Sequence, residues 1–75
     1  MKTIQISLST IESVRQFVNI VNTYNFDMDL VSGRYVVDAK SIMGIFSLDL
    51  LRPNTLNIHC EECDKLLEEL KPFIV

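Results

Sequence analysis

No apolar run in this 75-residue chain approaches the roughly 18 to 20 residues that a membrane-spanning helix needs. The opening Met1-Lys2-Thr3-Ile4-Gln5 also lacks the apolar stretch and cleavage site of a secretory signal, so a cytoplasmic protein is expected. Basic residues are few: seven scattered Lys and Arg against ten Asp and Glu give a net charge of −3. Nucleic-acid binding rests on neutralising phosphates with basic side chains, so no nucleic-acid partner is expected. Metal ligands are scarcer still. Cys60 and Cys63 form a C-x-x-C with His59 beside it, but a structural zinc site takes four ligands and no fourth stands nearby. No metal or other cofactor is expected, and the two cysteines read as small hydrophobes, Cys60 ending a strand and Cys63 on the apolar side of a helix. Linkers, repeats and low-complexity segments are absent, so residues 1–75 form one domain with 48% hydrophobic residues to build a thin core.

What is present alternates between two periods. Ile4, Ile6 and Leu8 alternate with Thr3, Gln5 and Ser7, the pattern of a strand with one buried face. Ser9 followed three residues later by Glu12 reads as a capping box, opening a helix with apolar positions Ile11, Val14, Phe17, Val18 and Val21 that runs to about Tyr24. Phe26, Met28 and Leu30 alternate with Asp27 and Asp29, and Ser32-Gly33 turns the chain into Arg34 through Ala39 as a hairpin. Ser41 then reads as the N-cap of a short helix ending near Leu50 or Leu51, with Arg52-Pro53-Asn54 as breaker. Leu56, Ile58 and Cys60 alternate with Thr55, Asn57 and His59 in a fourth strand. A last helix follows directly, with Glu61, Glu62 and Asp64 in its first turn, Leu66, Leu67 and Leu70 as its stripe, and Pro72 ending it.

The order is βαββαβα. Four strands each apolar on one face need helices on that face only, which makes an α+β open-faced sandwich.

The run Lys40-Ser41-Ile42-Met43-Gly44-Ile45-Phe46-Ser47-Leu48 resembles the regulatory helix of the HPr phosphocarrier family nearly letter for letter, and with the element order the resemblance spans the chain. It implies a four-stranded antiparallel sheet covered on one face by three helices. In that family a Gly-Ile-His-Ala-Arg-Pro-like stretch between strand one and helix one carries the histidine that takes a phosphoryl group from enzyme I and passes it to sugar permease components. Here the stretch reads Leu8-Ser9-Thr10-Ile11-Glu12-Ser13, with Thr10 nearest the histidine and Glu12 nearest the arginine. A threonine hydroxyl would form a stable ester and need its own base, and Glu12 would repel a phosphoryl dianion. These two residues therefore read as a degenerate phosphocarrier site.

His59, the only histidine, falls at an outward-facing strand position and is no substitute. Arg15 is expected to pair weakly with Glu12. No residue reads as catalytic, and the chain is not expected to be an enzyme.

What the resemblance leaves is regulation. In the family, the serine opening the second helix is phosphorylated by HPr kinase, and the product acts as corepressor for a LacI-type regulator. A catabolite-repression paralogue lacks the histidine and works by that route alone. The serine corresponds to Ser41, and the residues presented to partners correspond to Ile42, Met43 and Phe46. Ile45 and Leu48 suffice for the buried side of the helix, which leaves Met43 and Phe46 exposed beside Ile42.

The bland readings are that Ser41 is only a cap and that the apolar patch is covered by a second copy of the chain. Three functions are thus open: a histidine-less regulatory protein of the sugar phosphotransferase system, a diverged interaction or oligomerisation module, and a phosphocarrier using an unusual residue.

Overall fold

The computed structural model describes all 75 residues, in the order β1 (Lys2–Ile6), α1 (Ile11–Val21), β2 (Met28–Ser32), β3 (Tyr35–Asp38), α2 (Ile42–Phe46), β4 (Asn54–Ile58) and α3 (Asp64–Glu69), with a closing 3-10 turn over Lys71–Phe73. The strands form one antiparallel sheet in the order β1-β4-β2-β3. Period-two alternation sends Ile6, Met28, Leu30, Leu56 and Ile58 to one face, where they are buried under the helices. The helices contribute Val14, Phe17 and Val21 from α1, Ile45 from α2 and Leu66 from α3 to the same core. The other face is mostly polar, with Val31 and Val36 paired on it. Thr3 donates to Asn57 (3.0 Å) and Gln5 to Thr55 (2.7 Å) across directly paired positions of β1 and β4. This is the α+β open-faced sandwich that the alternation requires.

Strand β2 enters β3 through a two-residue loop, Gly33-Arg34, with Ser32 and Tyr35 paired across it. Gly33 takes φ +60, the conformation a type II′ hairpin needs at its first loop position and one that only glycine adopts without strain. At the opposite edge, the last residues of the chain cover β1: Ser7 N–H donates to Phe73 O (2.8 Å), Val75 N–H to Gln5 O (3.1 Å), and Ile74 bridges Ile6.

Several boundaries differ from those the sequence suggests. Helix α1 is capped by Thr10, not Ser9. Thr10 is extended (φ −129, ψ 158), and its hydroxyl accepts from Ser13 N–H (3.0 Å) while Ser13 Oγ accepts from Thr10 N–H (3.1 Å). Ser13, not Glu12, closes the box, and Ile11, at the first position of the helix, is 68% exposed instead of joining the buried stripe. Glu12 accepts from Gln16 (3.4 Å), and no ion pair joins it to Arg15. The helix ends at Val21 rather than Tyr24: Thr23 and Tyr24 N–H turn to the carbonyls three residues back, Ile20 (3.1 Å) and Val21 (3.2 Å), and the Asn22 side chain also donates to Val18 O (2.9 Å). Strand β1 stops at Ile6 and β2 begins only at Met28, leaving Leu8 and Phe26 outside the ladders.

Helix α2 is shorter than its apolar run. Ser47 Oγ donates to Gly44 O (2.6 Å) and Ser47 caps the helix, so Leu50 and Leu51 fall in the following loop and Leu51 is 94% exposed. Helix α3 starts at Asp64, so Glu61 and Glu62 precede it, and Cys60 lies half-buried in that connection. Pro72 does not end the chain's helical course but sits in the 3-10 turn, which carries Phe73 into the core.

The cap assignment is open to test. Thr10→Ala should cost about 0.5 to 2 kcal/mol in denaturant unfolding, whereas Ser9→Ala should leave the midpoint nearly unchanged. Equal effects would contradict the cap at Thr10.

A second tie closes the far end of α1. The Tyr24 hydroxyl donates to the Glu69 carboxylate at the end of α3. That bond raises the tyrosine pKa from 10.0 to about 12, because the carboxylate holds the proton and opposes a second negative charge. The folded pKa lies above the unfolded one, so the contribution is fully present below pH 10 and is lost as pH rises through about 12. Unfolding of wild type and Tyr24→Phe should accordingly differ at neutral pH and converge above that window.

Candidate functional site

Ser41 is held by its neighbours on both sides. The turn before it is closed by Asp38, whose carboxylate accepts from Lys40 N–H (2.9 Å) and whose carbonyl accepts from Ser41 N–H (3.0 Å). Lys40 Nζ donates to Tyr24 O (2.7 Å), and the Asn22 amide donates to Lys40 O (3.2 Å), so the segment is fastened to the end of α1. Ser41 itself is extended (φ −99, ψ 108) and accepts at Oγ from Gly44 N–H (3.1 Å). The hydroxyl is thus the N-cap of α2. It is half-buried and donates to no protein group, and the first-turn amides of Ile42 and Met43 have no intrahelical acceptor.

Gly44 allows the close packing of this corner. A Cβ there would meet Val37 Cβ at 3.2 Å and Ser41 Oγ at 3.3 Å, so a larger residue would require Val37 or the capping hydroxyl to give by a few tenths of an ångström. With the helix seated this way, Ile45 and Leu48 turn into the core while Met43 is 79% and Phe46 42% exposed. Ile42 differs from the sequence expectation of free exposure: it is half-buried and packs against the core cluster.

Thr10 and Glu12 lie together at the start of α1, both exposed. The Thr10 hydroxyl is occupied as the helix cap, and no histidine, lysine or arginine hydrogen-bonds to it. His59 leaves the end of β4 on the polar face, with Nε2 2.8 Å from Asp29 Oδ2. The Cys63 thiol is buried, and burial first, then the nearby Cys60, pushes its pKa up. The Cys60 thiol donates to Glu62 O (3.3 Å), and both cysteines are free. No three His, Cys, Asp or Glu side chains are grouped so as to hold a metal ion, and no helix is long and apolar enough to cross a membrane.

Two features were not legible in the sequence. One is the full exposure of Leu51 beyond α2. The other is a groove between the β2–β3 hairpin and the loop after α2, into which Arg34 and Arg52 come from positions 18 residues apart in the chain.

Comparison with known proteins gives the site its setting. The sequence pattern described as the PTS HPr component phosphorylation site matches residues 12–75, beginning just after the β1–α1 junction. No curated protein sequence matches the chain. Among solved structures, HPr-C-His from Thermoanaerobacter tengcongensis superposes with a TM-score of 0.77 at 22% identity, covering 93% of this chain and 86% of that one. The phosphocarrier protein HPr from Bacillus anthracis str. Ames superposes with a TM-score of 0.72 at 27% identity, covering 99% of this chain and 94% of that one. The first shares the fold. With the sequence pattern extending over most of the chain and the same sheet and helices in place, this protein belongs to the HPr family of the phosphotransferase system.

Proposed function

We propose that this chain is an HPr-family protein without the phosphoryl-accepting histidine, working in the cytoplasm by protein contact rather than as a phosphocarrier or enzyme. Its switch is phosphorylation of Ser41, and its contact surface is Met43 and Phe46 with the half-buried Ile42. An HPr kinase and a LacI-type regulator are the classes of partner. The observation that carries this reading is the α2 corner: a capping hydroxyl with its proton unused stands one turn from two large apolar side chains that the core does not cover. A phosphate on Ser41 would add about −1.5 to −2 charges beside the unpaired amides of the first turn and alter that surface without entering the core.

The β1–α1 junction supports the loss of phosphoryl transfer. No histidine, lysine or arginine hydrogen-bonds to the Thr10 hydroxyl to activate it as a nucleophile, and Glu12 places a carboxylate two residues on.

Both routes can be tested on one sample. Incubation with HPr kinase and ATP should add one phosphoryl mass to the wild type and none to Ser41→Ala. Incubation with enzyme I and phosphoenolpyruvate should add none to either. An adduct from enzyme I, acid-labile if on His59 and acid-stable if on Thr10, would establish a phosphocarrier with an unusual acceptor, and an unmodified Ser41 would leave the diverged interaction or self-association module in its place.

A further inference from the structure

A groove of about 710 Å³ lies between the tip of the β2–β3 hairpin and the segment Ser47–Thr55. That volume falls in the range of small-ligand sites. Two of the chain's three arginines, Arg34 and Arg52, line it, although the protein as a whole is acidic. Arg34 makes no ion pair and no side-chain hydrogen bond, and Arg52 meets only Asp49, at 3.9 Å. Asp49, the one carboxylate of the lining, is already engaged: Leu51 N–H donates to Oδ1 (3.0 Å), and Oδ2 faces Arg52. Ser32 and Tyr35 also line the groove, and neither side chain makes a hydrogen bond within the protein. The lining therefore carries a surplus of donors and one net positive charge, with Leu48 and Pro53 supplying apolar surface beside them.

We propose that this groove binds a small organic phosphate monoester. Guanidinium groups present planar forks of N–H donors that match phosphate oxygens in pairs, and a dianion suits two arginines of which only one is partly neutralised. The apolar lining and the volume fit an ester with a short organic body better than a bare ion. Ser41 is not part of the lining, so the result bears on this groove alone.

The test is a titration of the intact, isotope-labelled protein followed by amide NMR near neutral pH. Glycerol 3-phosphate should give saturable shifts confined to residues 32–35 and 47–53, and tighter binding than inorganic phosphate. Sodium acetate and sodium chloride at matched ionic strength should give none. Arg34→Ala and Arg52→Ala should each weaken binding about tenfold, the effect of losing a charge-assisted pair, while Arg15→Ala on α1 should not. Shifts reproduced by acetate or chloride, binding that survives both groove substitutions, or no saturable shift at all would each overturn the site. Equal affinity for inorganic phosphate would overturn the assignment of an organic ester.

Discussion

Phe17→Ala is expected to remove about 3 to 5 kcal/mol of folding stability, the usual cost of emptying a buried phenylalanine site. Phe17 is the largest fully buried side chain in the protein. It projects from the middle of α1 and meets the Phe73 ring edge-on, with centroids 6.1 Å apart at 82°. That contact joins the first helix to the chain's last turn, so the truncation would also loosen the residues that cover the edge of β1. A domain of this length has a total stability of roughly 4 to 11 kcal/mol at 0.05 to 0.15 kcal/mol per residue. The variant should therefore lose between about a quarter and all of that stability, read as a large fall in the urea midpoint followed by circular dichroism. A loss below about 1 kcal/mol would mean that the α1–sheet interface is not the centre of the core.

The same interface shows why the fold was readable before any coordinates. Strands β1 and β4 alternate apolar and polar residues and β2 buries Met28 and Leu30, and a one-residue slip would turn these apolar sets to the solvent, so the face they bury follows from the sequence; β3, Tyr35-Val36-Val37-Asp38, carries no such alternation. Helix α1 keeps its 3.6-residue stripe through Val14, Phe17 and Val21. The order β1-β4-β2-β3 was not readable in this way, because alternation says which side of a strand is buried and nothing about its neighbour. Family resemblance implied a four-stranded antiparallel sheet under three helices, and the order within it is seen in the structure.

The errors at element ends have a common cause. Ser9 and Thr10 are both good N-caps, and the choice between them is made by a serine at position 13 that can return the bond, a competitor to the more familiar Glu12. Leu50 and Leu51 continue an apolar run, yet Ser47 takes the Gly44 carbonyl and stops the helix a turn earlier.

Legibility of the candidate site divides along the same line. Ser41 as a cap, and Met43 and Phe46 as exposed neighbours, follow from local spacing on one short helix. The packing of Ile42 and the close approach of Gly44 to Val37 depend on how α2 sits on β3, which no local pattern encodes. The arginine groove is further out of reach, since it needs the hairpin tip and the α2–β4 loop to meet in space.

A paired substitution on α2 separates contact from structure. Phe46→Ala should weaken a partner complex by about 2 kcal/mol or more, roughly thirtyfold, if its ring is a central anchor of the interface, because such anchors are concentrated in a few large side chains. Its effect on unfolding should stay within about 0.5 kcal/mol, since the ring is 42% exposed and lies outside the core cluster. Ile45→Ala, one residue earlier and fully buried, should do the reverse: it should cost about 2 to 5 kcal/mol of stability and affect binding only through the folded fraction. Calorimetric titration with a partner, run beside urea unfolding of each variant, reads both quantities. If Phe46→Ala destabilised the domain as Ile45→Ala does, the ring would belong to the core and the contact surface would lose its centre. If it left binding unchanged, the exposed face of α2 would have no part in recognition, and Ser41 would remain a helix cap without a reader.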